Sequence, residues 1–342
     1  MRILAGLIAS LLLLAGCGKP LFYQEQAYVF GTIVEVSIYG ETDDKAKQGA
    51  AAVLGEFQRL HDLLHAWKPS ALSELNTAIA QGRNKAVTPE LALMLQDAAQ
   101  ISAQSGYLFN PAIGGLIQAW GFQADGFKPL LPDEKIIAAL ARANPQMSDL
   151  IIENGEVHSR NRAVKLDLGG YAKGYALDRA AAILQQRGIH NALVNIGGNV
   201  LALGAHGNRA WRVGIQHPRK PGPLATLELH DGEAIGTSGD YQRYFELDGK
   251  RYCHVIDPRS GRPVQGVQAV TILTRGIRAG LLSDAASKPL FISGAAGWRA
   301  AAQQMQLDDA LLIDADGVVH LTASLQKRLE FTDSKTVRNV DP

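Results

Sequence analysis

The chain has 342 residues, 46% hydrophobic and 20% charged, with 35 glycines and 2 cysteines. That apolar content excludes a disordered chain, and two cysteines exclude a disulfide framework or a cysteine-built zinc cluster. Its 34 basic against 33 acidic residues give no basic excess for nucleic acid, while the length suffices for one large core or two lobes.

In chain order, Arg2 precedes an apolar run, Ile3 to Leu14, too short to span a bilayer as a mature helix. The run ends in Leu14-Ala15-Gly16-Cys17. Small residues before a cysteine resemble the bacterial lipoprotein processing box, with an ordinary signal peptide as the alternative. Residues 1–16 then read as a lipoprotein signal peptide, Cys17 as the lipidated residue, and 17–27 as a tether. The expected location is the periplasmic face of a bacterial membrane, inner rather than outer, held by acyl chains and not by a span. Cys253 is left as a lone thiol, read as a small partly buried side chain.

Tyr28 to Tyr39 alternates and predicts a strand. Val53, Leu54, Phe57, Leu60 and Leu64 recur at helical spacing within a helix from Asp43 to Trp67. Thr88-Pro89-Glu90 opens a helix that runs to about Ser105, and Pro132 to Asn144 reads as another. Val164–Leu168 predicts a strand, Ala172 to about Arg187 a helix, and His190–Ile196 a strand. Short strands with Gly/Pro turns fill Trp211 to Leu273. Asp284 to Phe291 opens a last helix, and Ala310–Ile313 with Val318–Leu321 form a hairpin. Helices and strands mix without a βαβ rhythm, so the fold class is α+β, a single large mixed domain over 28–330 with a tail at 331–342.

Several familiar motifs fail. His61-Asp62-Leu63-Leu64-His65 lacks the glutamate base of a zinc protease and borders a packed face. Gly169 to Gly174 has phosphate-loop spacing, but Tyr175 stands where Lys must follow. Asp240 replaces the second glycine of a G-x-S-x-G elbow around Ser238, and no G-x-G-x-x-G follows a strand.

Four clusters carry chemistry. In Leu166-Asp167-Leu168-Gly169-Gly170-Tyr171-Ala172-Lys173-Gly174, two glycines precede a helix start whose free N–H groups suit a phosphate, and Lys173 adds a cation. Asn195-Ile196-Gly197-Gly198-Asn199 reads equally as a second backbone approach to a ligand or as a plain turn. His254 and Asp257 precede a Pro-containing turn, where a carboxylate near a histidine biases its tautomer for general-base work. Asp284 and Ser287 lie three apart at a predicted helix start and offer hard oxygen ligands for Mg²⁺, or an ordinary N-cap.

Taken in order, these clusters resemble the FAD:protein FMN transferase (ApbE) family from about Tyr28 to Gly294. Phe30-Gly31-Thr32, Leu72-Ser73-Glu74-Leu75-Asn76 and Phe109-Asn110-Pro111-Ala112-Ile113-Gly114 add to the likeness. The resemblance implies an α+β domain with FAD between two lobes, and Mg²⁺-dependent transfer of FMN to a Thr or Ser of a redox partner. It implies flavin or FAD contacts at Phe30, Trp67, Phe109, Asn110, Asp167, Lys173 and Val264, and metal contacts at the Gly170 carbonyl, Asp284 and Ser287. It implies His254, with Asp257, as the base on the acceptor hydroxyl. Lys288 departs from the family, which has a metal-holding Thr there; an ammonium cannot ligate a cation. An FAD pyrophosphatase and a non-catalytic flavin-binding lipoprotein are the competing readings.

Overall fold

The structure, a computed structural model, describes residues 21–124 and 126–341. The leader, Cys17 and the start of the tether lie outside the described residues. No helix among the described residues is long and apolar enough to cross a membrane.

The frame is a nine-stranded sheet whose spatial order follows the chain: Phe22–Val29, Thr32–Tyr39, Ala192–Ile196, Asn199–Leu203, Glu233–Gly239, Val267–Arg275, Asp309–Asp314, Val319–Thr322 and Arg338–Asp341. Every neighbouring pair is antiparallel except the last, which is parallel. Side chains alternate across it. Leu201, Leu203, Val270, Ile272, Ala310 and Leu312 join the main core with the helices. Val200, Ala202, Ala269, Leu273, Leu311 and Ile313 join a second core, under a three-stranded sheet of Trp211–Gln216, Pro223–Leu229 and Glu330–Phe331. This is the mixed α+β domain expected from the sequence.

Three helices begin within two residues of where the sequence places them. Asp43–Leu64 is capped by Thr42, Pro89–Gln104 by Thr88, and Glu134–Ala143 by Asp133. The helix Ala172–Gln186 also falls where expected. Five expectations change. The strand at 28–39 is half of a hairpin, because Phe30 and Gly31 both take positive φ (56° and 72°), the geometry of a two-residue turn. Residues 22–27, read as tether, are therefore its first strand. Val164–Leu168 is extended with one bridge, Lys165 to Ile113, because its backbone follows the 111–113 segment and not a sheet edge. The tail forms two strands, Glu330–Phe331 and Arg338–Asp341. The last helix is two, Ala279–Ala285 and Ser287–Gln304, with Ala286 ending one and starting the next. Asp284 thus lies in a last helical turn and is no N-cap. The helices Ala71–Ala80 and Gly114–Ala119 were not foreseen.

Three of the chain's excursions from the sheet, 40–191, 240–266 and 276–308, carry most of the expected site residues.

Candidate active site

The helix Ala172–Gln186 packs on the first of the helix pair Ala279–Ala285 and Ser287–Gln304. A Cβ on Gly174 would lie 2.5 Å from the Gly280 carbonyl oxygen and 2.8 Å from Asp284 Cβ. Only glycine lets the helix Ala172–Gln186 cross this closely. The contact delivers a hydrogen bond from the Gly174 N–H to Asp284 Oδ2 at 3.0 Å. Asp178, one turn on, accepts the Gly280 and Leu281 N–H groups at 2.8 and 2.9 Å, and burial raises its pKa to about 6.

Asp284 is buried, and its other carboxylate oxygen pairs with Lys288 Nζ. The same ammonium donates to the Asp284 carbonyl at 2.8 Å. Ser287 Oγ donates to that carbonyl at 2.6 Å and lies 2.7 Å from Ser238 Oγ. The Lys288 stem runs past Gly170, where an added Cβ would lie 3.1 Å from Lys288 Cε and 3.6 Å from Phe109 Cε2. Burial opposes the Asp284 charge, but Lys288 and Lys173 hold its pKa below the ordinary value.

The donors expected to hold Mg²⁺, namely Gly170, Asp284 and Ser287, do come together. As folded they do not fit a divalent cation, because both Asp284 side-chain oxygens are engaged and Lys288 holds the position beside them. No group of three or more His, Cys, Asp or Glu able to hold a metal occurs among the described residues.

His254 follows the strand Lys250–Cys253. Its backbone N–H donates to the Arg243 carbonyl at 3.0 Å, and its Nδ1 lies 3.2 Å from the same oxygen. A carbonyl only accepts, so Nδ1 carries the proton and Nε2 the lone pair. Burial, then Arg243, Lys173 and Lys288, lower the His254 pKa to about 3. Asp257 does not serve His254. Its carboxylate accepts the Arg259 N–H at 2.9 Å and pairs with the Arg259 guanidinium, the ordinary turn-capping role. The Arg243 carbonyl does the orienting expected of Asp257.

Asp167 Oδ1 accepts the Gly169 N–H at 3.0 Å and Oδ2 accepts Gln123 Nε2 at 2.8 Å. Gln123 Oε1 is buried without a partner among the described residues, which leaves an acceptor beside Asp167. Asn110 is spent on structure: Nδ2 donates to the Pro145 carbonyl at 2.9 Å and Oδ1 accepts the Ala112 N–H at 3.0 Å. Phe109 packs beside it, buried. Phe30 and Trp67 end a row of rings through His61 and His65, with successive centroids 5.8, 5.0 and 4.5 Å apart. Arg243 Cζ lies 5.9 Å from the Trp67 ring, so one arginine touches both the aromatic row and His254. Val264 donates its N–H to the Val255 carbonyl at 2.9 Å and packs, partly buried, on the main core. Gly197 and Gly198 form a hairpin turn with φ of 57° and 93°, closed by Asn195 Oδ1 accepting the Gly198 N–H at 2.9 Å.

Comparison with known proteins gives the family. The ApbE family model matches residues 30–312. The chain belongs to the ApbE family. The FAD:protein FMN transferase of Rhodobacter capsulatus is 42% identical over 309 residues, 90% of this chain and 58% of that protein. The chain thus spans little more than half of that relative. The Vibrio cholerae FAD:protein FMN transferase is 30% identical over 320 residues, covering 90% of this chain and 93% of its own. Among solved structures, the ApbE protein of Thermotoga maritima matches with a TM-score of 0.81 at 27% identity, covering 90% of this chain and 99% of its own. The apo flavinyl transferase ApbE of Pseudomonas stutzeri gives 0.77 at 27%, with 90% and 97% covered.

Sequence reasoning missed Arg243, Gln123 and Gly280. Arg243 acts through a main-chain carbonyl, which no side-chain pattern reports. The Asp284–Lys288 pair had a signal, opposite charges four residues apart.

Proposed function

We propose that this ApbE-family chain transfers FMN from FAD to a Thr or Ser hydroxyl of an exported or membrane redox protein and releases AMP. The observation that carries this reading is a buried, neutral His254 held through Nδ1 by the Arg243 carbonyl, with its Nε2 lone pair in the field of Lys173 and Lys288. Lys173 and Lys288 supply positive charge for the diphosphate, and Asp284 offsets only the second of them. Phe30 and Trp67 offer ring faces for the isoalloxazine, and Asp167 holds the Gly169-Gly170 turn beside the cations.

In the transfer, the acceptor oxygen bonds to the FMN phosphorus as the bond from that phosphorus to the AMP oxygen breaks. The hydroxyl proton passes to His254 Nε2, and AMP leaves with the electron pair of the broken bond. The diphosphate brings negative charge against Lys173 and Lys288. Binding FAD therefore cancels much of the repulsion that lowers the His254 pKa, and the base strengthens when substrate is present. The family's magnesium requirement is not carried over, for the reason given by the donor geometry. We also propose export and lipid anchoring at Cys17, supported by the Arg2 start, the apolar run and the Leu14-Ala15-Gly16 box.

Incubation with FAD and a candidate acceptor, followed by in-gel flavin fluorescence and AMP chromatography, tests the reading. Covalent fluorescence with equal AMP is expected. Free FMN with AMP means hydrolysis, and tight FAD binding without AMP means a non-catalytic binder; either overturns the proposal.

A further inference from the structure

The residues around Asp284 carry an inference about charge. Of the three donors that would hold a divalent cation, Asp284 is paired with a lysine, Gly170 lies against that lysine's stem, and Ser287 donates to the Asp284 carbonyl. The Lys288 stem lies against Gly170, and its ammonium pairs with Asp284 Oδ1 and donates to the Asp284 carbonyl at 2.8 Å. Asp284 Oδ2 is occupied by the Gly174 N–H at 3.0 Å. The pair is mostly dry, with side-chain exposures of 2% for Asp284 and 16% for Lys288.

The charge count favours the lysine acting alone. Lys173 and Lys288 against Asp284 leave one net positive charge facing a doubly negative diphosphate. A divalent ion added beside them would face two ammonium groups with one carboxylate already paired. An ion that displaced Lys288 would strand a buried ammonium. The i,i+4 spacing sets Asp284 and Lys288 on one face, and the helical Ala286 between the two helices keeps that spacing.

We propose that the Lys288 ammonium is this chain's built-in replacement for a divalent cation at Asp284, holding the FAD diphosphate together with Lys173. The inference deepens the transferase reading and rests on it for the identity of the ligand. Its chemistry is a fixed monovalent donor in place of an exchangeable ion, so the site is complete without metal.

Magnesium calorimetry on the purified apo-protein tests the first half without any turnover. The wild type should give no binding heat at millimolar Mg²⁺, whereas Lys288→Thr should gain a saturable Mg²⁺ site and a Mg²⁺-dependent rise in Tm. FAD fluorescence quenching tests the second half. Wild-type affinity should be the same in EDTA and in Mg²⁺. Lys288→Thr in EDTA should bind FAD about tenfold or more weakly, the loss of one charge-assisted contact, and recover with Mg²⁺. Should Lys288→Thr fail to fold, Lys288→Arg keeps the charge and should retain metal-independent FAD binding. Stoichiometric Mg²⁺ binding by the wild type, or a tenfold or greater loss of its FAD affinity in EDTA, overturns the proposal. A wild type that binds FAD equally with and without metal yet never releases AMP supports the lysine inference and refutes the transferase reading, so the two failures are distinct.

Discussion

Replacing Asp284 by Asn removes one charge and little volume. The amide oxygen still accepts the Gly174 N–H, but the NH₂ now faces Lys288, and a nearly buried ammonium loses its counter-ion. Exposures of 2% and 16% for the two side chains put this pair among buried salt bridges, where removing one partner costs about 3–5 kcal/mol. Lys288→Met should cost a similar amount from the other side by leaving the carboxylate to the Gly174 N–H alone. The double variant Asp284→Asn/Lys288→Met has no charge to strand. Its loss should fall short of the two single losses combined by about 2 kcal/mol or more, within the range of coupling between contacting residues. Urea unfolding of the four proteins, followed by far-UV circular dichroism at one pH, gives the cycle. Additivity within about 0.5 kcal/mol would refute the reasoning, since it would mean that the two groups do not depend on each other.

Other outcomes follow from the same geometry. Gly174→Ala should destabilise by about 1–3 kcal/mol or more, because the added methyl meets a backbone carbonyl that cannot move aside; the urea midpoint checks this. His254→Gln should lower FMN transfer about 10²–10⁴-fold, the usual worth of a positioned base, with FAD affinity kept, as single-turnover AMP release would show. His254 has a folded-state pKa of about 3 against an ordinary 6.5, so the unfolded chain takes up the proton first as pH falls. Its contribution to stability should be complete above about pH 6.5 and shrink as pH drops toward 3, by up to about 1.4 kcal/mol per pH unit. Urea midpoints of wild type and His254→Gln across that window should converge on acidification. Burial pushes the Cys253 thiol up to about 12, so iodoacetamide should label it only after unfolding, as mass spectrometry of native and urea-treated samples would reveal.

Local signals in the sequence located most of the frame. Thr88-Pro89 announces its helix because capping and proline chemistry act within a few residues, and the spacing of Val53, Phe57, Leu60 and Leu64 announces another. Phe30-Gly31 was harder. A non-glycine residue at positive φ hides a turn inside an alternating run, and one strand was read where two exist. The site was legible as residue types but not as partnerships. His254, Asp284, Ser287, Gly170 and Lys173 do gather, yet Asp257 turned to Arg259 and Asn110 to the Pro145 and Ala112 backbone. Those choices depend on which main-chain groups arrive from distant excursions, and no local pattern encodes that. Lys288 shows the same limit. Its departure from the family and its i,i+4 spacing from Asp284 were visible in the sequence, while the approach of Gly170 and of the Gly174 N–H to the same pair was not.

The most direct test of the account is the intact mass of an acceptor protein after incubation with the enzyme and FAD in EDTA. The acceptor should gain FMN less one water, with one AMP released per addition, and replacing its target Thr or Ser by Ala should abolish the gain. An unchanged acceptor mass in EDTA that shifts only when Mg²⁺ is supplied, or free FMN with no shift at all, would contradict it.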